Sequence, residues 1–186
     1  ELDRLSADVR ELIESLDRES ATVVGHDWGG VVATSTALKH PGVIDRLAIL
    51  NAPYPTNVFE QFTLRQAFRS SYAAFFQLPS VPERLFQAQK FSLLERAFSD
   101  AAVGAYTESE LAVYREAWDQ PGALTAMLNY YRAFGRQTAR EIFSRDSAWT
   151  AGRRVNCPTR LLWGEKDRAL GAGVRQAFER AVPHCE

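Results

Sequence analysis

Gly25-His26-Asp27-Trp28-Gly29 puts a carboxylate at the centre of a Gly-x-nucleophile-x-Gly pattern. Such a pattern marks a sharp strand-to-helix turn that lifts one side chain clear of a strand's carboxyl end, with small residues on either side because the turn is crowded. Serine is the usual occupant, and aspartate changes the chemistry. Serine attacking a saturated carbon would give an ether, which water cleaves with difficulty. A carboxylate attacking the same carbon gives an ester, which water can turn over. Asp27 therefore points to displacement at an sp³ carbon, followed by hydrolysis of the alkyl-enzyme ester by a water that a histidine activates. The backbone N–H of Trp28 lies where an oxyanion donor is needed, at a helix N-terminus. Its side chain suits a pocket wall or core packing equally. Asp27 as a simple helix N-cap is the competing structural reading, and His26, next to the nucleophile in sequence, reads as a packing residue.

Leu161-Leu162-Trp163-Gly164-Glu165-Lys166-Asp167 brings a second carboxylate to the end of an apolar strand. In a triad ordered nucleophile, acid, histidine, Asp167 stands where the acid that orients the imidazole belongs. Taken alone, it would read as a helix cap or a solvated loop charge.

The elements that must position these groups follow from periodicity. Leu5, Val9, Leu12, Ile13 and Leu16 recur at helical spacing among charged residues, which predicts an amphipathic helix. Ala21–Gly25 and Leu47–Asn51 read as strands buried in a parallel sheet. A helix from about Gly29 to the Pro41-Gly42 stop separates them. Pro158–Gly164 reads as a further strand and Val174–Val182 as the helix after it. Helix, strand, helix, strand is the pattern of an open parallel α/β sheet. Between Pro53 and Thr150 the chain carries several helical patterns and no strand. The predicted organisation is a core segment over 1–52, a helical insertion over 53–150 and a second core segment over 151–186.

These residues resemble the α/β-hydrolase superfamily, and within it the soluble epoxide hydrolases. His26-Asp27-Trp28-Gly29-Gly30 is similar to their elbow, which haloalkane dehalogenases share. Asn51-Ala52-Pro53-Tyr54-Pro55 resembles the strand end from which the cap departs, and Trp163–Asp167 the acid-bearing segment. Tyr72-Ala73-Ala74-Phe75-Phe76-Gln77-Leu78-Pro79 and Leu128-Asn129-Tyr130-Tyr131-Arg132 resemble the two cap segments whose tyrosines bind the epoxide oxygen. The resemblance implies an α/β-hydrolase fold, a mostly parallel sheet with helices on both faces and a helical cap. It implies Tyr72 and Tyr131 as oxygen ligands, Tyr131 being the proton donor, with Phe76 and Tyr130 as pocket or core packing. A phenol, with an ordinary pKa near ~10, can protonate the far more basic alkoxide that an epoxide releases.

The implied substrate is a small apolar epoxide, opened with water to a vicinal diol without cofactor or metal. Two alternatives use the same residues. One is a haloalkane or haloacid dehalogenase with Asp27 as nucleophile; the other is a binding protein that has kept the fold and lost turnover. The family's His-Gly-x-Pro turn, which precedes the elbow, is not found. His26, His40 and His184 do not stand where the family's base follows the acid, and so the chain reads as a piece of a longer protein, truncated at both ends and inactive alone.

Among 186 residues, 22 Lys and Arg balance 23 Asp and Glu, and no run of either sign predicts nucleic-acid or anionic-membrane binding. Two cysteines, Cys157 and Cys185, predict neither a disulfide framework nor a thiolate metal site, which makes the cytoplasm the default compartment. No run reaches the roughly 18 apolar residues of a membrane span.

Overall fold

The computed structural model describes residues 1–55, 64–99, 106–144 and 153–186. They fall into two compact units, Glu1–Arg69 with Thr138–Glu186, and Ser70–Gln137.

In the first unit, helix α1 (Leu2–Ser15) buries Leu2, Ser6 and Ile13. Leu12 and Leu16, counted in the apolar stripe from sequence, are 59% and 64% exposed. Leu12 lies one residue off the face that Leu2, Ser6, Val9 and Ile13 present, and Leu16 is the C-cap residue, past the end of the helix. Strand β1 (Ala21–His26) then leads into α2 (Trp28–Lys39), which stops ahead of Pro41. Strand β2 (Ile44–Leu50) starts three residues before the expected Leu47. A 3-10 turn at Pro41–Val43 hands directly into it, and the exposed Asp45 and Arg46 hide its beginning from a hydrophobicity pattern. Helix α3 (Leu64–Arg69) follows, and β3 (Thr159–Leu162) with α9 (Ala172–Ala181) complete the unit.

The strands form a parallel sheet in the order β1-β2-β3, with Val23 opposite Leu47, Gly25 opposite Ile49, and Leu50 opposite Leu162. Ile13, Ala33, Ala37, Leu47, Ile49 and Phe178 share one core, so α1, α2 and α9 all bury side chains against the Leu47/Ile49 face. Strands added in one direction by right-handed crossovers place their connecting helices on the same side. The fold class carries helices on both faces, whereas among the described residues these helices cover one. Val24, on the opposite face, is 66% exposed, although its apolar run predicts burial on both sides.

Two glycines allow α2 to sit tightly on the strands. A Cβ on Gly25 would lie 2.5 Å from the Gly29 carbonyl oxygen, and one on Gly30 would lie 2.4 Å from the Ala52 Cβ. The first clash is with backbone, which cannot rotate away. Gly25→Ala is therefore expected to cost about 3 kcal/mol or more. Gly29→Ala, whose added carbon would meet nothing within 4 Å, should unfold close to wild type. Equilibrium denaturation of both variants checks the pair.

The second unit holds α4 (Ser71–Phe75), α5 (Val81–Ala88), α6 (Ser92–Ser99), α7 (Glu108–Asp119) and the first two thirds of α8 (Ala123–Ser144). Phe86, Phe91, Trp118, Leu124 and Leu128 make its core, with Phe76, Leu93 and Leu94 packed against them. Thr107 and Glu110 form a reciprocal capping box at the start of α7, which satisfies two amides that the helix itself leaves without acceptors.

Candidate active site

Asp27 joins β1 to α2 with φ 52° and ψ −122°, a backbone conformation that costs a non-glycine residue about 1–3 kcal/mol and that surrounding structure must enforce. Its amide donates to the Leu50 carbonyl at 3.3 Å and its carbonyl accepts from the Val31 amide at 3.1 Å. The turn is thereby locked to β2 on one side and to α2 on the other. Asp27 occupies the N-cap position, yet its side chain makes no capping hydrogen bond. The carboxylate is exposed, so the N-cap reading does not account for it. Trp28 opens α2 and is half-buried. His26 closes β1 opposite Leu50, and its side chain is exposed, not packed as the sequence had suggested.

Beyond β3, Asp167 is held from three directions. Oδ1 accepts from the Ala169 amide at 2.7 Å and the Leu170 amide at 2.9 Å, and Oδ2 accepts from Asn51 Nδ2 at 2.6 Å. Asp167 therefore closes a local turn through one oxygen without capping a helix, since the next helix has Gly171 at its N-cap, while the other oxygen is tied to the end of the neighbouring strand. Asn51 completes the bridge, its Oδ1 accepting from the Gly164 amide at 2.8 Å. At φ 39°, Asn51 adopts a backbone conformation that asparagine tolerates better than most residues. Gln66, buried on α3, braces the same loop by donating to the Ala169 carbonyl at 2.7 Å and accepting from the Gly171 amide at 3.0 Å. Asp27, Asn51 and Asp167 thus lie beyond the carboxyl ends of three adjacent parallel strands, where open α/β sheets bind ligands.

In the other unit, Tyr72 on α4 and Tyr131 on α8 meet edge to face with ring centroids 5.8 Å apart. Phe76 completes a triangle of rings, 5.5 Å from Tyr72 and 4.9 Å from Tyr131. It also meets Phe86 edge to face at 6.0 Å, which joins the tyrosine pair to the core of that unit. Tyr72 and Tyr130 are partly exposed.

The family profile for the alpha/beta hydrolase fold matches residues 1–186. The chain belongs to the α/β-hydrolase fold family. This chain is 36% identical to the AB hydrolase superfamily protein YfhM of Bacillus subtilis over 98% of its own length and 62% of that protein's. It is 37% identical to epoxide hydrolase 4 of Mus musculus over 89% of its length and 46% of the mouse protein's. Among solved structures it is similar to a point mutant of an epoxide hydrolase from Bacillus megaterium complexed with its diol product, with a TM-score of 0.82 at 26% identity. That similarity covers all of this chain and 66% of the other. The chain thus spans roughly half to two thirds of the length of the relatives it matches.

Reasoning from sequence singled out Asp27, Asp167, Tyr72 and Tyr131 but missed the contacts that hold Asp167. Asn51 stood in a quoted motif without a role, because its partners Gly164 and Asp167 lie 113 and 116 residues further along the chain. Gln66 carried no signal at all. Among the described residues, no group of three or more His, Cys, Asp or Glu is disposed to hold a metal ion. None of the described helices is long and apolar enough to cross a membrane.

Proposed function

We propose that this chain carries the nucleophile, the triad acid and the acidic phenols of an epoxide hydrolase, with residues 53–150 as the cap. In the first step an oxygen of Asp27 attacks one epoxide carbon, the carbon–oxygen bond breaks, and the released oxygen takes a proton from a tyrosine, Tyr131 in the leading assignment, while Tyr72 binds the same oxygen. The product is an alkyl ester of Asp27 bearing a neighbouring hydroxyl. In the second step a water adds to the ester carbonyl, with the Trp28 N–H as one donor to the oxyanion and Asp167 orienting the histidine that activates the water. Collapse of the oxyanion returns the Asp27 carboxylate and releases the vicinal diol, one of the two water protons passing to the diol oxygen and the other restoring the Tyr131 phenol. Every atom comes from the epoxide, water and the carboxylate, so the scheme calls for no cofactor.

The observation that carries this reading is the meeting of Tyr72 and Tyr131 in one ring cluster, with centroids 5.8 Å apart. Aromatic packing alone needs no hydroxyl, and two phenols so close can serve one oxygen. A halide leaves without a proton donor, so dehalogenation gives this pair no task. The relatives named as epoxide hydrolases support the same side.

A single turnover in heavy-oxygen water tests the scheme. With the full-length protein in excess over naphthyl glycidyl ether, whose diol the Bacillus megaterium structure holds as product, the label is expected in the Asp27 carboxylate and not in the first diol released. Label appearing in that diol would mean that water attacks the epoxide directly. Halide release from haloalkanes, without diol formation from epoxides, would favour the dehalogenase.

A further inference from the structure

Tyr72 sits on a helix too short to hold itself. Helix α4 has five residues, and a single turn of helix is unstable without tertiary support. Beside the ring packing, α8 supports it with polar bonds. Arg132, the residue after Tyr131, donates from Nε to the Phe76 carbonyl at 2.9 Å and from Nη2 to the Leu78 carbonyl at 2.9 Å. These carbonyls belong to the end of α4 and the turn behind it, where a helix lacks internal donors and favours a cation. The guanidinium is held in turn by Glu83, in a bidentate pair at 2.7 and 3.0 Å. Both side chains are only 13% exposed, and Thr125 adds a bond to the same carboxylate at 3.3 Å. The hydrogen bond from Arg132 keeps the Glu83 carboxyl below the ordinary carboxylate range. A second tie runs alongside: Gln77 Nε2 donates to the Tyr131 carbonyl at 3.1 Å and to the Ala73 carbonyl at 3.0 Å. Gly135 leaves room for it, since a Cβ there would lie 2.8 Å from Gln77 Oε1.

We infer that Arg132 and Gln77 are positioning residues, which fix the spacing of the Tyr72 and Tyr131 phenols by clamping the end of α4 to the turn of α8 that carries Tyr131. The tyrosines lie one residue away from the clamp on α8 and one helical turn away on α4, so a shift of either carbonyl set moves a ring. The demand is for arginine specifically. One planar group serves two carbonyls and a bidentate carboxylate at once, which an ammonium cannot reproduce. The inference rests on the proposed role of the two phenols in ring opening and assigns what sets their geometry.

The test is Arg132→Lys in the full-length protein, followed by rapid mixing with naphthyl glycidyl ether to separate formation of the alkyl-enzyme from its hydrolysis. Formation is expected to slow at least ~10-fold, as misplacement of a reacting group by a fraction of an ångström does, with hydrolysis unchanged. The loss should vanish when Arg132→Lys is made in a Tyr72→Phe/Tyr131→Phe background, because the lysine then has nothing left to misplace. Unchanged formation in Arg132→Lys while the double tyrosine variant is slow would overturn the clamp and leave the proposed function standing. Both steps slowing alike, or a full loss persisting without the tyrosines, would reduce Arg132 to a fold residue and also overturn it. Normal ring opening in the double tyrosine variant would instead sink the function itself. Should Arg132→Lys fail to fold, Gly135→Ala carries the test. It raises helix propensity while pushing Gln77 aside, so slower formation in a protein of undiminished stability supports the clamp, and wild-type formation rejects it.

Discussion

Asp27→Ala in the full-length protein is expected to lower epoxide turnover by ~10⁴-fold or more, the scale at which loss of a covalent nucleophile is felt. The expectation follows from geometry as much as from residue type. The Asp27 backbone is held at φ 52° and ψ −122° by bonds to Leu50 and Val31, while Gly25 and Gly30 remove the side chains that would block the turn. Strain of this kind persists only where the rest of the structure enforces it, and its result is an exposed carboxylate with no capping bond. Alanine leaves the backbone device intact and removes only the nucleophile. The variant should therefore fold with an unchanged denaturation midpoint, form no alkyl-enzyme detectable by intact mass, and yield no diol. Retained turnover would mean that Asp27 is not the group that bonds to substrate.

Replacing both Tyr72 and Tyr131 with phenylalanine should slow ring opening by ~10²–10⁴-fold, the range of general acid catalysis. Each single variant is expected to lose less than the pair, since either phenol can still bind the developing alkoxide. The two rings pack against Phe76 and against one another, and phenylalanine preserves those contacts, so stability should change little. Ester hydrolysis, which needs no phenol, should proceed at its wild-type rate once the alkyl-enzyme has formed. Stopped-flow measurement of the two phases, with the thermal midpoint alongside, distinguishes this from general damage. Equal loss in both phases would point to packing and not to acid catalysis.

How far the sequence alone reaches is seen by comparing Asp27 with Asn51. The strand-to-helix turn at Asp27 was legible because such a turn is local: a β-branched run, glycines on both sides and a helix behind them lie within a dozen residues. The strand that leads to Asp167 was legible too, as were the order of helices and strands and the parallel sheet they form. Burial was less so. Leu12, Leu16 and Val24 look like core residues and lie largely exposed, because periodicity reports which residues share a face and not whether anything covers it. Asn51 shows what packing adds. Its two bonds join β2 to the loop after β3, and they exist only because the sheet sets those strands side by side. The Glu83–Arg132 pair and the 5.8 Å approach of Tyr72 to Tyr131 are of the same kind. The sequence by itself determined which groups could do chemistry, since type and local spacing are one-dimensional properties. Their separation and what braces them were decided by tertiary structure, because contacts between distant segments depend on how helices and strands pack in three dimensions.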